Sequence, residues 1–227
     1  MDKNGQQIEL SARDSLKTPR AAAIAGILFS ILLGSIMVLL RRSGPESSVE
    51  PQDWSSIDVD TVKLALHLVP FAGIAFLWFM GVVRDRFGKH EDQLLSTVFF
   101  GSGVLFLASF FIAAGIGGAV LIGLVTAPKQ MIDHNAFTFG RIASGQIMNV
   151  FALKMAGVFM TSTATLAIRT RILPLWITVP GFVFAALLLI SAHFVDWMPL
   201  LFPLWVLLLS LYILGDNLRI KNHNLKL

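Results

Sequence analysis

The sequence predicts an all-α fold: a polytopic membrane bundle of six transmembrane helices with both termini inside the cell. Three observations carry this. The chain of 227 residues is 55% hydrophobic and 14% charged, with a mean hydropathy of +0.73, far from the balance of a soluble domain. Its apolar residues are gathered into six long stretches separated by polar turns. Its lysines and arginines flank those stretches unequally, as the positive-inside rule requires of an oriented membrane protein.

Taken in order, residues 1–20 are polar and of mixed charge and are expected to form a short disordered cytoplasmic arm. Residues 21–40, AAAIAGILFSILLGSIMVLL, hold no charge and match the roughly 20 residues needed to cross a hydrocarbon core. This run exceeds the roughly 7 to 15 residues of a signal-peptide core, and no A-x-A cleavage site follows, so it reads as a retained anchor. Further spans are expected at about 61–83, 94–127, 142–168, 172–192 and 199–215, closing a membrane domain over 21–215, with a cytoplasmic tail at 216–227. The third stretch is 34 residues long and is expected either to begin as an amphipathic turn or to bend at Gly115, Gly117 and Gly118. Pro70 is expected to kink the second span near its outer end.

With the N-terminus inside, twelve Lys and Arg residues fall on inner segments and four on outer ones, the outer set being Arg41, Arg42, Lys129 and Arg141. That ratio orients the chain N-in and C-in. Trp54, Trp176 and Trp197 fall near the ends of spans, where amphipathic rings sit at a membrane interface.

The absence of cysteine excludes disulfides, thiolate nucleophiles, iron–sulfur clusters and cysteine zinc sites. No run of basic residues interleaved with aromatics points to nucleic acid. No phosphate loop, dinucleotide fingerprint or G-x-S-x-G elbow is present, so no cofactor is expected and the reading leans away from an enzyme. The bilayer is the expected partner. Small-residue ridges, Ala22-xxx-Gly26-xxx-Ser30-xxx-Gly34 in the first span and Ser109-xxx-Ala113-xxx-Gly117 in the third, suit packing within the bundle or association with a second copy or other membrane subunits.

The fourth span contains a lysine. At about 100° per residue and with Gln146 as zero, Lys154 falls at about 80°, Gly157 at about 20°, Thr161 at about 60° and Thr165 at about 100°, while Asn149 borders the stripe at about −60°. A polar stripe along a span faces protein or water, because polar groups facing lipid are costly. Gln146, Asn149, Lys154, Thr161 and Thr165 are therefore candidate cavity-lining residues, although Lys154 could equally snorkel or donate within a packed core. A second set, His67, His134, His193 and Asp196, lies on the outer side, and imidazoles with a carboxylate can hold zinc or another divalent ion. These residues come from separate segments without a compact metal signature, so no metal is expected.

Between the second and third spans, Gly81-Val-Val-Arg-Asp85-Arg86-Phe-Gly88-Lys89 resembles the cytoplasmic loop motif of the major facilitator transporters. The resemblance implies that Asp85 pairs at the helix ends, that Arg86 and Lys89 hold the loop against neighbouring helices, and that six spans make half of a two-half cavity. More broadly, Leu68–Trp78, Val83–Gly88, Phe159–Thr165 and Leu200–Trp205, with the order of spans, resemble uncharacterised bacterial multi-pass membrane proteins. That resemblance implies a bacterial inner-membrane setting and carries over no catalytic residue.

The sequence thus favours a non-enzymatic membrane protein whose fourth span lines a small polar cavity for an ion or small solute, in the manner of a transporter or channel. The rivals are a structural or partner-binding subunit with that stripe buried in helix contacts, and a membrane-embedded enzyme with an outer-face metal.

Overall fold

The structure, a computed structural model, describes residues 21, 23–41, 58–87, 93–126, 134–170, 173–190 and 197–224. All regular structure among them is helical: α1 (Ala23–Arg41), α2 (Val59–Phe87), α3 (Gln93–Thr126), α4 (His134–Gln146), a π-helical segment (Ile147–Ala152), α5 (Leu153–Thr170), α6 (Leu175–Ile190), a 3₁₀ turn (Met198–Leu200) and α7 (Leu201–Asn224). With α4, the π segment and α5 counted as one rod, five helices are long and apolar enough to cross a membrane, which makes this the architecture of a multi-pass membrane protein. The sixth, α6, has 16 residues and spans about 24 Å at about 1.5 Å per residue.

The helices form because the apolar runs leave the backbone no partner in lipid except itself. Hydroxyls inside the runs follow the same economy. Ser30 donates to the Gly26 carbonyl at 2.8 Å, Thr161 to Gly157 at 3.0 Å and Thr165 to Thr161 at 2.8 Å, each hiding a donor against its own helix. At the start of α2, Asp58 caps the first turn: the Thr61 N–H donates to its carboxylate at 3.2 Å and the Thr61 hydroxyl donates to its other oxygen. Those bonds, the hydroxyl's first, hold the Asp58 carboxyl below the ordinary carboxylate range.

The core is a knot of phenylalanine rings. Phe29 of α1 lies 4.7 Å from Phe76 of α2 and 5.7 Å from Phe202 of α7, centroid to centroid, and Phe106 of α3 lies 4.8 Å from Phe202. Phe159 brings in α5, 5.2 Å from Phe76 and 4.8 Å from Phe99. Most of these pairs are tilted or edge-on, the arrangement that the ring quadrupoles favour. Around the knot, α5 packs on α6 and α3, and α3 also packs on α2 and α4.

Two sequence expectations, those for the stretch from Gly81 and for the fourth span, need correction. The third span is one uninterrupted α-helix of 34 residues, about 51 Å long at about 1.5 Å per residue. Two of its glycines serve close approach: a Cβ at Gly117 would lie 2.8 Å from the Ser144 Oγ, and one at Gly118 would lie 2.5 Å from a Leu66 methyl, whereas Gly115 has open space beside it. The stretch expected as a cytoplasmic loop from Gly81 is helical as far as Phe87 and belongs to the end of α2. The fourth span is not a plain α-helix. Between Gln146 and Leu153 the chain takes a wider turn in which the Leu153 N–H donates to the Met148 carbonyl, five residues back, so each residue there advances by less than about 100°.

Candidate functional site

The π segment decides where the candidate residues of the fourth span fall. Residues before it, Gln146 above all, are rotated relative to α5 from where uniform α-helical counting puts them. Gln146 is exposed, and Asn149 and Lys154 are half-buried. Below the π segment the stripe meets α6. Gly157 is buried, and a Cβ there would fall 3.0 Å from Leu189 Cγ and 3.1 Å from the Ala185 carbonyl oxygen. Thr161 and Thr165, half-buried, have their hydroxyl protons committed to carbonyls of their own helix.

Among the described residues the other candidates are not brought together. His67 is exposed on α2, His134 opens α4, and His193 and Asp196 lie outside the described residues. Among the described residues no group of three or more His, Asp or Glu is placed to share a metal ion. In the facilitator-like stretch, Gly81 and Asp85 are exposed on the last turns of α2 and Arg86 continues that helix, while Gly88 and Lys89 lie outside the described residues. Arg84, beside them, has its guanidinium 5.7 Å from the Phe100 ring centroid on α3.

Open volume lies elsewhere. A cavity of about 500 Å³ sits at the end of the bundle where α1 finishes, within the roughly 300–1,000 Å³ range of small-molecule sites. α1 contributes Ile36, Met37, Val38, Leu40 and Arg41, α2 contributes Leu66, and α3 contributes Phe110 and the face from Ala113 to Leu121. α4 contributes Arg141 and Ser144, the π segment Met148, and the turn into α7 contributes Trp197, Pro199 and Leu200. None of Gln146, Asn149, Lys154, Thr161 or Thr165 lines it.

Each wall has a local cause. α3 and α4 are drawn together where the Ser144 hydroxyl donates to the Ala113 carbonyl at 2.8 Å. That contact needs Gly117 opposite Ser144, and Gly140 opposite Val120, where a Cβ would fall 2.3 Å from a valine methyl. The small residues Ala113, Ala114, Gly117 and Gly118 that permit the approach also leave the α3 wall shallow. Met148, in the π segment, closes the side toward α5, a placement that depends on the wide turn.

Among the described lining residues the charged groups are two arginines. Arg41 and Arg141 are exposed residues on two different helices, and no Asp or Glu is among the described lining residues. The guanidinium carbon of Arg41 lies over Trp197, 4.3 Å from the ring centroid, a cation–π contact. An apolar chamber flanked by two arginines can accept a molecule that is apolar along most of its length and negative at one end.

Sequence reading missed this site. Arg41 and Arg141 were legible only as two of the few cations on the sparsely charged side, and Trp197 only as an interfacial ring. The available signal was that Arg141 falls three residues before Ser144, one helical turn from a serine on a face that must meet the small ridge of α3. Comparison of the chain with protein-family models, with curated proteins and with solved structures finds no match.

Proposed function

We propose that this protein is a non-enzymatic multi-pass membrane protein that takes a small amphiphilic solute from the bilayer into the cavity between α1, α3 and α4, in the manner of a transporter or carrier. The observation that carries the reading is the cavity itself: about 500 Å³, walled by apolar side chains and flanked by Arg41 and Arg141. The wider setting that fits is six crossings with α6 as the fifth, both termini on the inner face, and a bacterial cytoplasmic membrane. The count of twelve Lys and Arg inside against four outside supports that orientation.

A second reading, a packing subunit without a solute, is favoured by one observation, the seating of Gly157 against Leu189 and Ala185 of α6. The two readings part on the cavity. A photoactivatable long-chain alcohol, incorporated with the purified protein in nanodiscs, is expected to label peptides containing Phe110, Leu121 and Met148. Filling the cavity with Ala114→Phe is expected to remove that labelling. Labelling spread evenly over the exposed apolar residues Phe71, Trp78 and Leu105 and unchanged by Ala114→Phe would favour the packing subunit.

A further inference from the structure

The cavity's shape and charge restrict what can fill it, and the restriction rests on the functional reading just proposed. A methylene needs about the room of a water, whose share of the liquid is about 30 Å³, so 500 Å³ admits on the order of 15 non-hydrogen atoms. A single acyl chain is of that size. A two-chain phospholipid is several times larger, and a bare inorganic anion would leave the faces of Phe110, Leu121 and Met148 against water, which the hydrophobic effect disfavours.

The polar end is set by the two arginines. Guanidinium groups repel a cationic head, and they bind carboxylate and phosphate oxygens through paired N–H donors, stronger than neutral hydrogen bonds. An alcohol or ester head gains no charge assistance from them. Ser144 adds little donor capacity, because its proton is given to the Ala113 carbonyl at 2.8 Å. Arg41 is also held against Trp197, its guanidinium carbon 4.3 Å from the ring centroid.

From these observations we infer that the cavity is a binding site for a single-chain amphiphile with an anionic head, and that its occupant is a long-chain fatty acid. The acyl chain lies along α3 past Phe110 and Leu121, and the carboxylate sits at the Arg41 and Arg141 end. Such a ligand reaches the site from the membrane leaflet, in which fatty acids dissolve.

The test is equilibrium binding of radiolabelled palmitate to the full-length protein in nanodiscs of zwitterionic lipid, with hexadecanol as the neutral probe of equal length. Wild-type protein is expected to prefer palmitate. Arg41→Gln and Arg141→Gln are each expected to weaken palmitate by roughly tenfold, the scale of one lost charge-assisted hydrogen bond, and to leave hexadecanol within about twofold. Arg41→Lys with Arg141→Lys keeps both charges, and is expected to retain more of the preference than the glutamine variants. Equal affinity for palmitate and hexadecanol, or equal losses of both in the glutamine variants, would overturn the inference while leaving the cavity reading intact. Binding of neither probe would remove the cavity reading along with it. Displacement of palmitate by vesicles of phosphatidylglycerol at matched concentration would overturn the single-chain assignment, since a two-chain anion would then fit as well.

Discussion

The guanidinium carbon of Arg41 sits 4.3 Å from the ring centroid of Trp197, joining the end of α1 to the turn that opens α7. Both residues line the cavity, so the contact does more than anchor an interface. It restrains one of the two cations, and a restrained side chain loses less entropy on binding.

Removing the ring should therefore weaken the ligand without removing the charge. Trp197→Ala is expected to lower palmitate affinity by about threefold, the equivalent of an exposed cation–π contact of roughly 0.5–1 kcal/mol. Trp176 is the control: it is equally exposed but stands 5.8 Å from Tyr212 and away from the cavity. Trp176→Ala should leave affinity unchanged in the same binding assay, and a matching loss in both variants would reduce Trp197 to an interfacial anchor.

The approach of α3 to α4 can be checked directly because the chain has no native cysteine. A Cβ at Gly117 would lie 3.6 Å from the Ser144 Cβ, inside the roughly 3.5–4.5 Å span of disulfides. The double variant Gly117→Cys/Ser144→Cys should form an intramolecular bridge on mild oxidation, seen as a reducible mobility shift after proteolysis between the helices. The pair Gly101→Cys/Ser144→Cys should not, because Gly101 lies more than four helical turns back along α3. Failure of the first pair would displace the wall on which the site depends.

Where α1 crosses α7, Ser210 is buried and its hydroxyl lacks a hydrogen-bond partner, while a Cβ on Gly26 would fall 2.0 Å from that oxygen. A buried unpaired hydroxyl costs about 1–3 kcal/mol. Ser210→Ala is thus expected to leave stability unchanged or raise it by about 1 kcal/mol, read as the midpoint of thermal unfolding in detergent. Gly26→Leu should lower that midpoint sharply, because its side chain would collide with both Ser210 and Phe79. A destabilised Ser210→Ala would mean that the hydroxyl has a structural role.

Asp58 gives a pH signature. Its hydrogen bonds from Thr61 hold the carboxyl below its ordinary range, so the folded state prefers the ionised form. The sign follows from that direction: the cap's contribution is fully present above the unfolded carboxylate value of about 3.9 and is lost as pH falls through the lower folded value. The difference in thermal midpoint between wild type and Asp58→Ala should be steady from neutral pH to about pH 5 and should shrink below about pH 4. A difference that persists undiminished at the acid end would assign the cap to backbone geometry alone.

How far the sequence carried the reading depended on which force sets each feature. The helices were legible, because twenty uncharged apolar residues such as 21–40 have no other way to satisfy their backbone in lipid. Their contacts were partly legible: the ridges through Gly26 and Gly117 do face close neighbours. The π segment was not, since Ile147–Ala152 contains no proline or glycine to mark it. Counting at about 100° across it joined Gln146 to Thr165 in one stripe, and attention went to Lys154. The cavity was hidden for a related reason. Arg41, Arg141 and Trp197 come from three segments distant along the chain, and only tertiary packing makes them neighbours of one volume.

The most direct measurement is to extract wild-type and Ala114→Phe protein, purified side by side from the same membranes, and to identify the co-purified small molecules by mass spectrometry. A single-chain carboxylate near one per protein in the wild type, and much reduced in the cavity-filled variant, is the predicted result. Two-chain lipids alone, or equal amounts of the carboxylate with both proteins, would contradict a fatty-acid site between α1, α3 and α4.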